Sequence, residues 1–245
     1  MVTRLFGLIG FPLSHSFSKK YFAEKFAREG LVHCAYELFP LERIEDFPAL
    51  LRRYPELAGL NVTIPHKTAV IPYLDELDEE AAQVGAVNTI AIREGHTRGY
   101  NTDVYGFRQS LLEFLPRPQG RGALVLGTGG AARAVAHVLR QLGLAFRFVS
   151  RSPGKDRLTY EALRPEHLKT ADLIVNTTPL GMSPNVDSCP ALPWEAIGPQ
   201  HYLYDLVYNP AQTRFLQRGA QQGAHTLNGL RMLHLQAEKA WEIWK

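Results

Sequence analysis

Cysteine is scarce in this chain of 245 residues, with only Cys34 and Cys189 present. They lie far apart, with no CxxC spacing and no Cys/His cluster, so neither a disulfide framework nor a zinc site is indicated. A reducing compartment is the expectation. Long hydrophobic runs are missing too. The N-terminal MVTRLFGLIGFPLSHS is too short, and too broken by Gly and Pro, for a spanning helix or an ordinary secretory signal. We therefore expect a cytoplasmic protein. Charge of one sign is also lacking. Against 27 Lys+Arg stand 24 Asp+Glu, a formal net charge of +3, with no long block of like charges. Nucleic acid and membrane surfaces are poor partners for such a balance, and small anions suit it better.

What is present is the mixture of a globular protein, 45% hydrophobic and 21% charged, enough for one large or two modest domains. Residues 4–10, RLFGLIG, read as a buried strand closed by Gly10-Phe11-Pro12. Ser18 is a plausible N-cap for a helix over 19–29, and a second strand follows at 33–38. Residues 41–53 have helical spacing that Pro48 interrupts. A strand over 57–64 runs into Pro65-His66-Lys67, a helix is expected over 67–83, and a hairpin over 90–99 turns at Glu94-Gly95. The alternation of strand and helix predicts α/β layers.

A sharper unit begins at Gly122. It reads as strand 123–127, glycine turn 127–130, helix 131–142, a stop at Gly143 and strand 145–149. Further strands are expected at 172–176, 202–207 and 224–226. After Asn228-Gly229, the residues Leu230, Leu233, Ala237, Ala240, Trp241 and Trp244 form one helical stripe that docks onto a preceding domain. The stretch LPRPQGRG at 115–122 reads as an interdomain joint.

Gly127-Thr128-Gly129-Gly130-Ala131-Ala132 follows an apolar strand and opens an amphipathic helix, the context in which a glycine pattern binds a pyrophosphate. Glycine allows a tight turn and close backbone approach, while free amides at the helix N-terminus favour the anion. Where an NAD-binding unit often carries Asp or Glu, this chain has Ser150-Arg151-Ser152. A guanidinium can bind the extra phosphate of NADP that a carboxylate would repel, so NADP is the preferred cofactor. Lys155 is a helper in that reading, or an ordinary surface charge.

Four polar stretches outside this unit supply hydroxyls, amides, an ammonium and a carboxylate. They are Ser14-His15-Ser16, Asn61-Val62-Thr63-Ile64-Pro65-His66-Lys67, Asn88-Thr89 and Tyr100-Asn101-Thr102-Asp103, all read as loops. With the glycine turn, with NTTPLGM at 176–182 and with NGLRMLHLQ at 228–236, they closely resemble the shikimate dehydrogenase family over almost the whole chain. Members are NADP-dependent oxidoreductases of aromatic amino-acid biosynthesis, in the route to chorismate, and reduce 3-dehydroshikimate to shikimate.

The resemblance implies two α/β domains. A substrate domain covers 1–101 with 229–245 packing back onto it, and a Rossmann-like NADP-binding domain covers 102–228. It implies that Ser14, Ser16, Thr63, Asn88, Tyr208 and Gln236 bind the substrate. Lys67 and Asp103 are implied to bind it at the reacting carbon, where Lys67 is expected to supply a proton assisted by Asp103 or, alternatively, mainly to bind and polarise the oxygen. Cofactor contacts are implied at Gly127, Thr128, Gly129, Gly130 and Ala131, then at Ser150, Arg151, Ser152 and Lys155. Leu206, Gly229 and Glu79 complete that set. The implied partner is a small molecule, with no nucleic acid, membrane or metal, and the protein is a monomer or homodimer.

Each assignment has a plainer counterpart. Ser14 and Ser16 could cap or turn a loop, and Asn61 or Asn88 could satisfy backbone groups at strand ends. Tyr208 could be a core aromatic and Gln236 a surface residue of the last helix. His15 and His66 read as loop braces, since the family gives them no catalytic role. The chain departs from the family at Lys19, where proline is usual, and at Ser150 and Ser152, where Asn and Thr are usual. It is also short for the family. Rival readings are a quinate dehydrogenase, a catalytically silent NADP-binding regulator and a folate-linked dehydrogenase.

Overall fold

A computed structural model describes residues 4–13, 16–115, 117–118 and 120–245. The chain divides into two compact units, Met1–Thr102 with Ala237–Lys245, and Asp103–Gln236. The Pro/Gly stretch at 115–122 that reads as a joint lies inside the second unit, and the chain changes unit within two helices instead.

The first unit is built on β1 (Arg4–Gly10), α1 (Phe17–Arg28), β2 (Cys34–Pro40), α2 (Phe47–Arg53) and β3 (Leu57–Val62). It continues with β4 (Glu76–Leu77), α3 (Glu79–Val84), β5 (Thr89–Arg93) and β6 (His96–Tyr100). These strands form one sheet in the order β2-β1-β3-β5-β6-β4. The β1–β2 and β1–β3 pairs are parallel, whereas β3–β5 and the β5–β6 hairpin are antiparallel. The hairpin turn carries Glu94 and Gly95 at φ 52° and 80°, the positive values that a tight two-residue turn requires.

Three sequence expectations are corrected here. Helix α1 starts at Phe17, so Ser16 occupies the N-cap position and Ser18 lies inside the helix. Residues 41–53 form a single 3-10 turn, Ile44–Asp46, followed by α2, with Pro48 tolerated in its first turn where its missing N–H is no loss. The helix expected over 67–83 is a turn, a 3-10 turn at Ile71–Tyr73, strand β4, and only then α3, capped where Asp78 accepts the N–H of Glu80 at 3.1 Å. Val70, Ile71, Leu74, Leu77 and Ala81 pack on one core despite this interruption, which is why their spacing mimics a helix.

The second unit begins within α4 (Thr102–Phe114) and continues with β7 (Gly122–Leu126), α5 (Gly130–Gln141), β8 (Ala145–Ser150) and β9 (Arg157–Thr159). Then come α6 (Pro165–Lys169), β10 (Leu173–Asn176), β11 (Tyr202–Asp205), α7 (Arg214–Gln221), β12 (His225–Leu227) and α8 (Leu230–Trp244). Its sheet is wholly parallel in the order β12-β11-β10-β7-β8-β9. Counted from β7, that is the doubly wound order 3-2-1-4-5-6, with its switch point between β7 and β10. Strands buried on both faces explain the unbroken apolar runs Ala123–Leu126 and Leu173–Val175.

The last turns of α8 belong to the first unit. Ala237, Ala240, Trp241 and Trp244 pack with Phe6, Phe22 and Tyr36, and Trp244 Nε1 donates to the Ile90 carbonyl at 3.0 Å. A fully buried aromatic side chain of this kind stabilises by about 1.5–3 kcal/mol. Buried Lys25 of α1 pairs with Glu238 of α8 at 2.7 Å, and Tyr21 donates to the same carboxylate. This network and the apolar stripe fasten α8 to α1.

Candidate active site

In the first unit, Ser16, Thr63 and Lys67 follow the C-terminal ends of β1 and β3, and Asn88 directly precedes β5. Ser14 and His15 lie outside the described residues. Ser16 holds the N-cap position of α1 but makes no side-chain capping bond, and its buried Oγ has no partner among the described residues. A buried hydroxyl without a hydrogen-bond partner is costly, and a bound polar ligand would supply one. The plainer role of capping does not describe it.

Thr63, just past β3, is pinned by its backbone to the Ile9 carbonyl at 2.9 Å, and its own carbonyl accepts the His66 N–H at 2.9 Å. His66 is buried, with Nε2 2.5 Å from the Leu41 carbonyl, so the ring braces the loop as expected. The next residue, Lys67, is half-buried, and its carbonyl accepts the Val87 N–H at 2.7 Å. The backbone under the ammonium is thereby tied to the strand-end segment that carries Asn88.

Asn88 is buried and serves α4. Its Oδ1 accepts the Thr102 N–H at 2.6 Å and its Nδ2 donates to Thr102 Oγ1 at 3.0 Å. Asn101 donates to the Ala86 carbonyl at 2.8 Å. Thr102 and Asp103 were expected in a loop, yet they form the first turn of α4. The polar residues that made this stretch look like a loop are the ones that start a helix. Asp103 is buried in that first turn, where a carboxylate interacts favourably with the helix dipole. Asn61 has a structural role, accepting from Tyr36 at 2.7 Å and donating to Thr89 Oγ1 at 3.2 Å. Glu79 is exposed in the first turn of α3 and accepts from Gln83 at 3.2 Å.

In the second unit the glycine turn joins β7 to α5. Gly127 has φ +107°, and a Cβ there would lie 2.7 Å from Thr177 Oγ1, so both conformation and space require glycine. Thr177 Oγ1 also donates to the Leu126 carbonyl at 2.6 Å, buttressing the turn. Thr128 and Gly129 are exposed, Gly130 and Ala131 half-exposed, and nothing lies within 4 Å of a Cβ built on Gly129. Gly129 caps this twelve-residue helix, and no side-chain bond caps its first amides. Ala132 is buried, as close packing of helix on strand demands.

At the end of β8, Ser150 is buried and donates to the Ser152 carbonyl at 2.6 Å, turning the chain so that Arg151, Ser152 and Lys155 are all exposed. Free amides, an uncrowded glycine cradle and two nearby cations in the sequence fit a dinucleotide bearing an extra phosphate. Leu206 follows β11. A Cβ on Gly229 would lie 2.1 Å from the Leu206 carbonyl, so this approach also needs glycine. Tyr208 is half-buried, and burial pushes its phenol upward from the ordinary tyrosine range. Gln236 is buried rather than on the surface, and its Nε2 donates to the Leu233 carbonyl at 2.9 Å.

Sequence reasoning missed Asp205. This fully buried carboxylate accepts from Asn176 Nδ2 at 2.9 Å, the Val207 N–H at 3.0 Å and Thr213 Oγ1 at 2.5 Å. Burial pushes its pKa up to about 6 against these three donors. Asn176 already stood in a quoted motif, but nothing in the sequence pairs it with a residue so far along the chain.

Among the described residues, no group of three or more His, Cys, Asp or Glu could hold a metal ion, and no helix is long and apolar enough to cross a membrane. The parallel sheet, its switch point and the glycine turn define an α/β protein of the dinucleotide-binding class. The family model described as the shikimate dehydrogenase substrate binding domain matches residues 8–90. The chain is 42% identical to the shikimate dehydrogenase (NADP(+)) of Symbiobacterium thermophilum, over 98% of this chain and 88% of that one. The shikimate 5-dehydrogenase of Thermus thermophilus, solved with NADP(H) and shikimate, matches with a TM-score of 0.86 at 34% identity, covering 99% of this chain and 93% of that one. The quinate dehydrogenase of Corynebacterium glutamicum, solved with NAD, gives 0.86 at 29% identity, covering 99% and 94%. The chain belongs to the shikimate dehydrogenase family.

Proposed function

We propose that this chain is an NADP-dependent shikimate dehydrogenase, interconverting 3-dehydroshikimate and shikimate in the cytoplasm. The observation that carries this reading is similarity along 98% of the chain to a protein of that activity, at 42% identity. Arg151, the residue after β8, supports the choice of NADP, because a guanidinium pairs with a 2′-phosphate where a carboxylate would repel it. Bound NADPH supplies a hydride to the ring carbonyl.

The protein's own groups do the rest. The amides after Gly127 hold the pyrophosphate, and Arg151, with Lys155, holds the 2′-phosphate. Ser14, Ser16, Thr63, Asn88, Tyr208 and Gln236 bind the carboxylate and hydroxyls of the substrate. A site built to bond a hydroxyl rejects an analogue lacking it. Ser16 Oγ, buried with no partner among the described residues, is suited to that task. Lys67 donates a proton to the oxygen that gains charge in reduction and recovers it in oxidation, and Asp103 assists by orienting and stabilising the ammonium.

The test is oxidation of shikimate and of quinate, each with NADP+ and NAD+, followed at the absorbance band of reduced nicotinamide. Shikimate with NADP+ is expected to give the highest kcat/KM. Preference for quinate contradicts the reading and favours the activity of the quinate dehydrogenase relative. Absence of turnover with every pair favours a silent NADP-binding protein.

A further inference from the structure

The parallel sheet of the second unit gives its dinucleotide site a polarity. Strand β8, which Arg151 follows directly, lies on one side of β7, while β10 and β11 lie on the other. On the cofactor reading proposed above, the adenine half occupies the β8 side, and the nicotinamide half reaches the turns that follow β10 and β11. Those turns carry no glycine-rich cradle, so something else must hold their shape.

Asp205, the last residue of β11, is placed to do so. One carboxylate oxygen accepts from Asn176 Nδ2 at 2.9 Å and from the Val207 N–H at 3.0 Å, and the other accepts from Thr213 Oγ1 at 2.5 Å. Asn176 passes the constraint onward. Its Oδ1 accepts the Thr178 N–H at 3.1 Å and Thr178 Oγ1 at 2.7 Å, and its Nδ2 also donates to the Leu180 carbonyl at 3.3 Å. Thr178 Oγ1 then accepts the Leu180 N–H at 3.3 Å. One carboxylate therefore specifies the course of Leu206–Val207, the turn 176–180 and the start of α7. Asp205, Asn176 and Thr213 are all fully buried, and Asp205 forms no ion pair with a described residue. A desolvated carboxylate without a cation is a costly way to stabilise a fold, and an apolar residue could fill the same space more cheaply. What the side chain supplies and an apolar residue cannot is three hydrogen bonds that fix two turns at once.

We infer that Asp205 is a positioning residue for the nicotinamide end of the cofactor, holding the turns after β10 and β11 in the shape that end requires. It acts through backbone and neighbours and touches no reacting atom. The inference rests on the proposed NADP site.

The test compares two ligands by calorimetric titration: NADP+, and adenosine 2′,5′-bisphosphate, which carries the adenine and phosphate end alone. Asp205→Ala is expected to weaken NADP+ by about tenfold or more, while the bisphosphate changes by less than about twofold. Asp205→Asn keeps two acceptor bonds and donates to Thr213 Oγ1, and should restore NADP+ binding to within about threefold of the wild type. Should Asp205→Ala not fold, Thr178→Val removes only the outer end of the network and should show the same selective loss in smaller degree. Equal weakening of both ligands, or no weakening of either, overturns the inference. Wild-type protein that binds neither ligand refutes the cofactor reading and removes the ground of this one, whereas wild-type binding with unselective variants refutes the role of Asp205 alone.

Discussion

The Oδ1 of Asn88 accepts the backbone N–H of Thr102 at 2.6 Å, so a side chain at the mouth of one strand determines where α4 begins. Asp103 follows Thr102 directly, in the first turn of the helix. Asn88 was expected to bind substrate or to satisfy backbone groups at a strand end. The structure gives it the second task, and substrate binding is proposed in addition.

Asn88→Ala should therefore act twice. Losing the acceptor for a helix-starting N–H costs about 1–2 kcal/mol of stability. The displaced first turn should raise KM for shikimate more than KM for NADP+. Urea denaturation and steady-state kinetics measure the two effects, and Asn88→Asp, which keeps the acceptor, should recover most of the stability.

Arg151→Ala should weaken NADPH by about 1.5–3 kcal/mol, the range of a charge-assisted hydrogen bond, and leave NADH nearly unchanged. Fluorescence titration with both reduced cofactors provides the comparison. Equal loss for the two would remove the 2′-phosphate from the role of Arg151.

The buried Asp205 makes stability depend on pH in a direction opposite to that of a salt-bridged carboxylate. Burial raises its pKa from the usual 3.8 to about 6, so in that interval the folded state holds a proton that the unfolded state has released. This contribution to stability falls as pH rises through the interval and is fully lost above it, a change of about 3 kcal/mol for a shift of about two pK units. Subtracting the Asp205→Asn profile from the wild-type profile in urea should reveal that slope. A flat difference would mean that the carboxyl is not destabilised by burial.

Local chemistry made some of this architecture legible in the sequence. The β7–turn–α5 unit announces itself through Gly127–Gly130 and the apolar residues on either side, and the Glu94-Gly95 hairpin through its turn residues. Positions 67–83 misled because Val70, Leu74, Leu77 and Ala81 reach one core through three different backbone forms. The breaking signals were Pro72 and the Asp78 cap. Thr102-Asp103 misled for the converse reason, since residues suited to turns also start helices. The candidate site was legible as a set of residue types, not as a geometry. The Asn88–Thr102 bond and the Asp205 network each join residues whose pairing only the folded chain reveals, and only the fold shows Ser16 Oγ buried with no partner among the described residues.

Lys67 is proposed to move the proton when the ring oxygen is reduced or oxidised. The most direct test is Lys67→Met, with kcat measured for both directions and the Kd of shikimate measured separately. A fall in kcat of about a hundredfold or more, the scale of lost general acid–base catalysis, is expected, with Kd changed by less than about threefold. Unchanged kcat accompanied by a large rise in Kd would contradict it and leave Lys67 as a binding group.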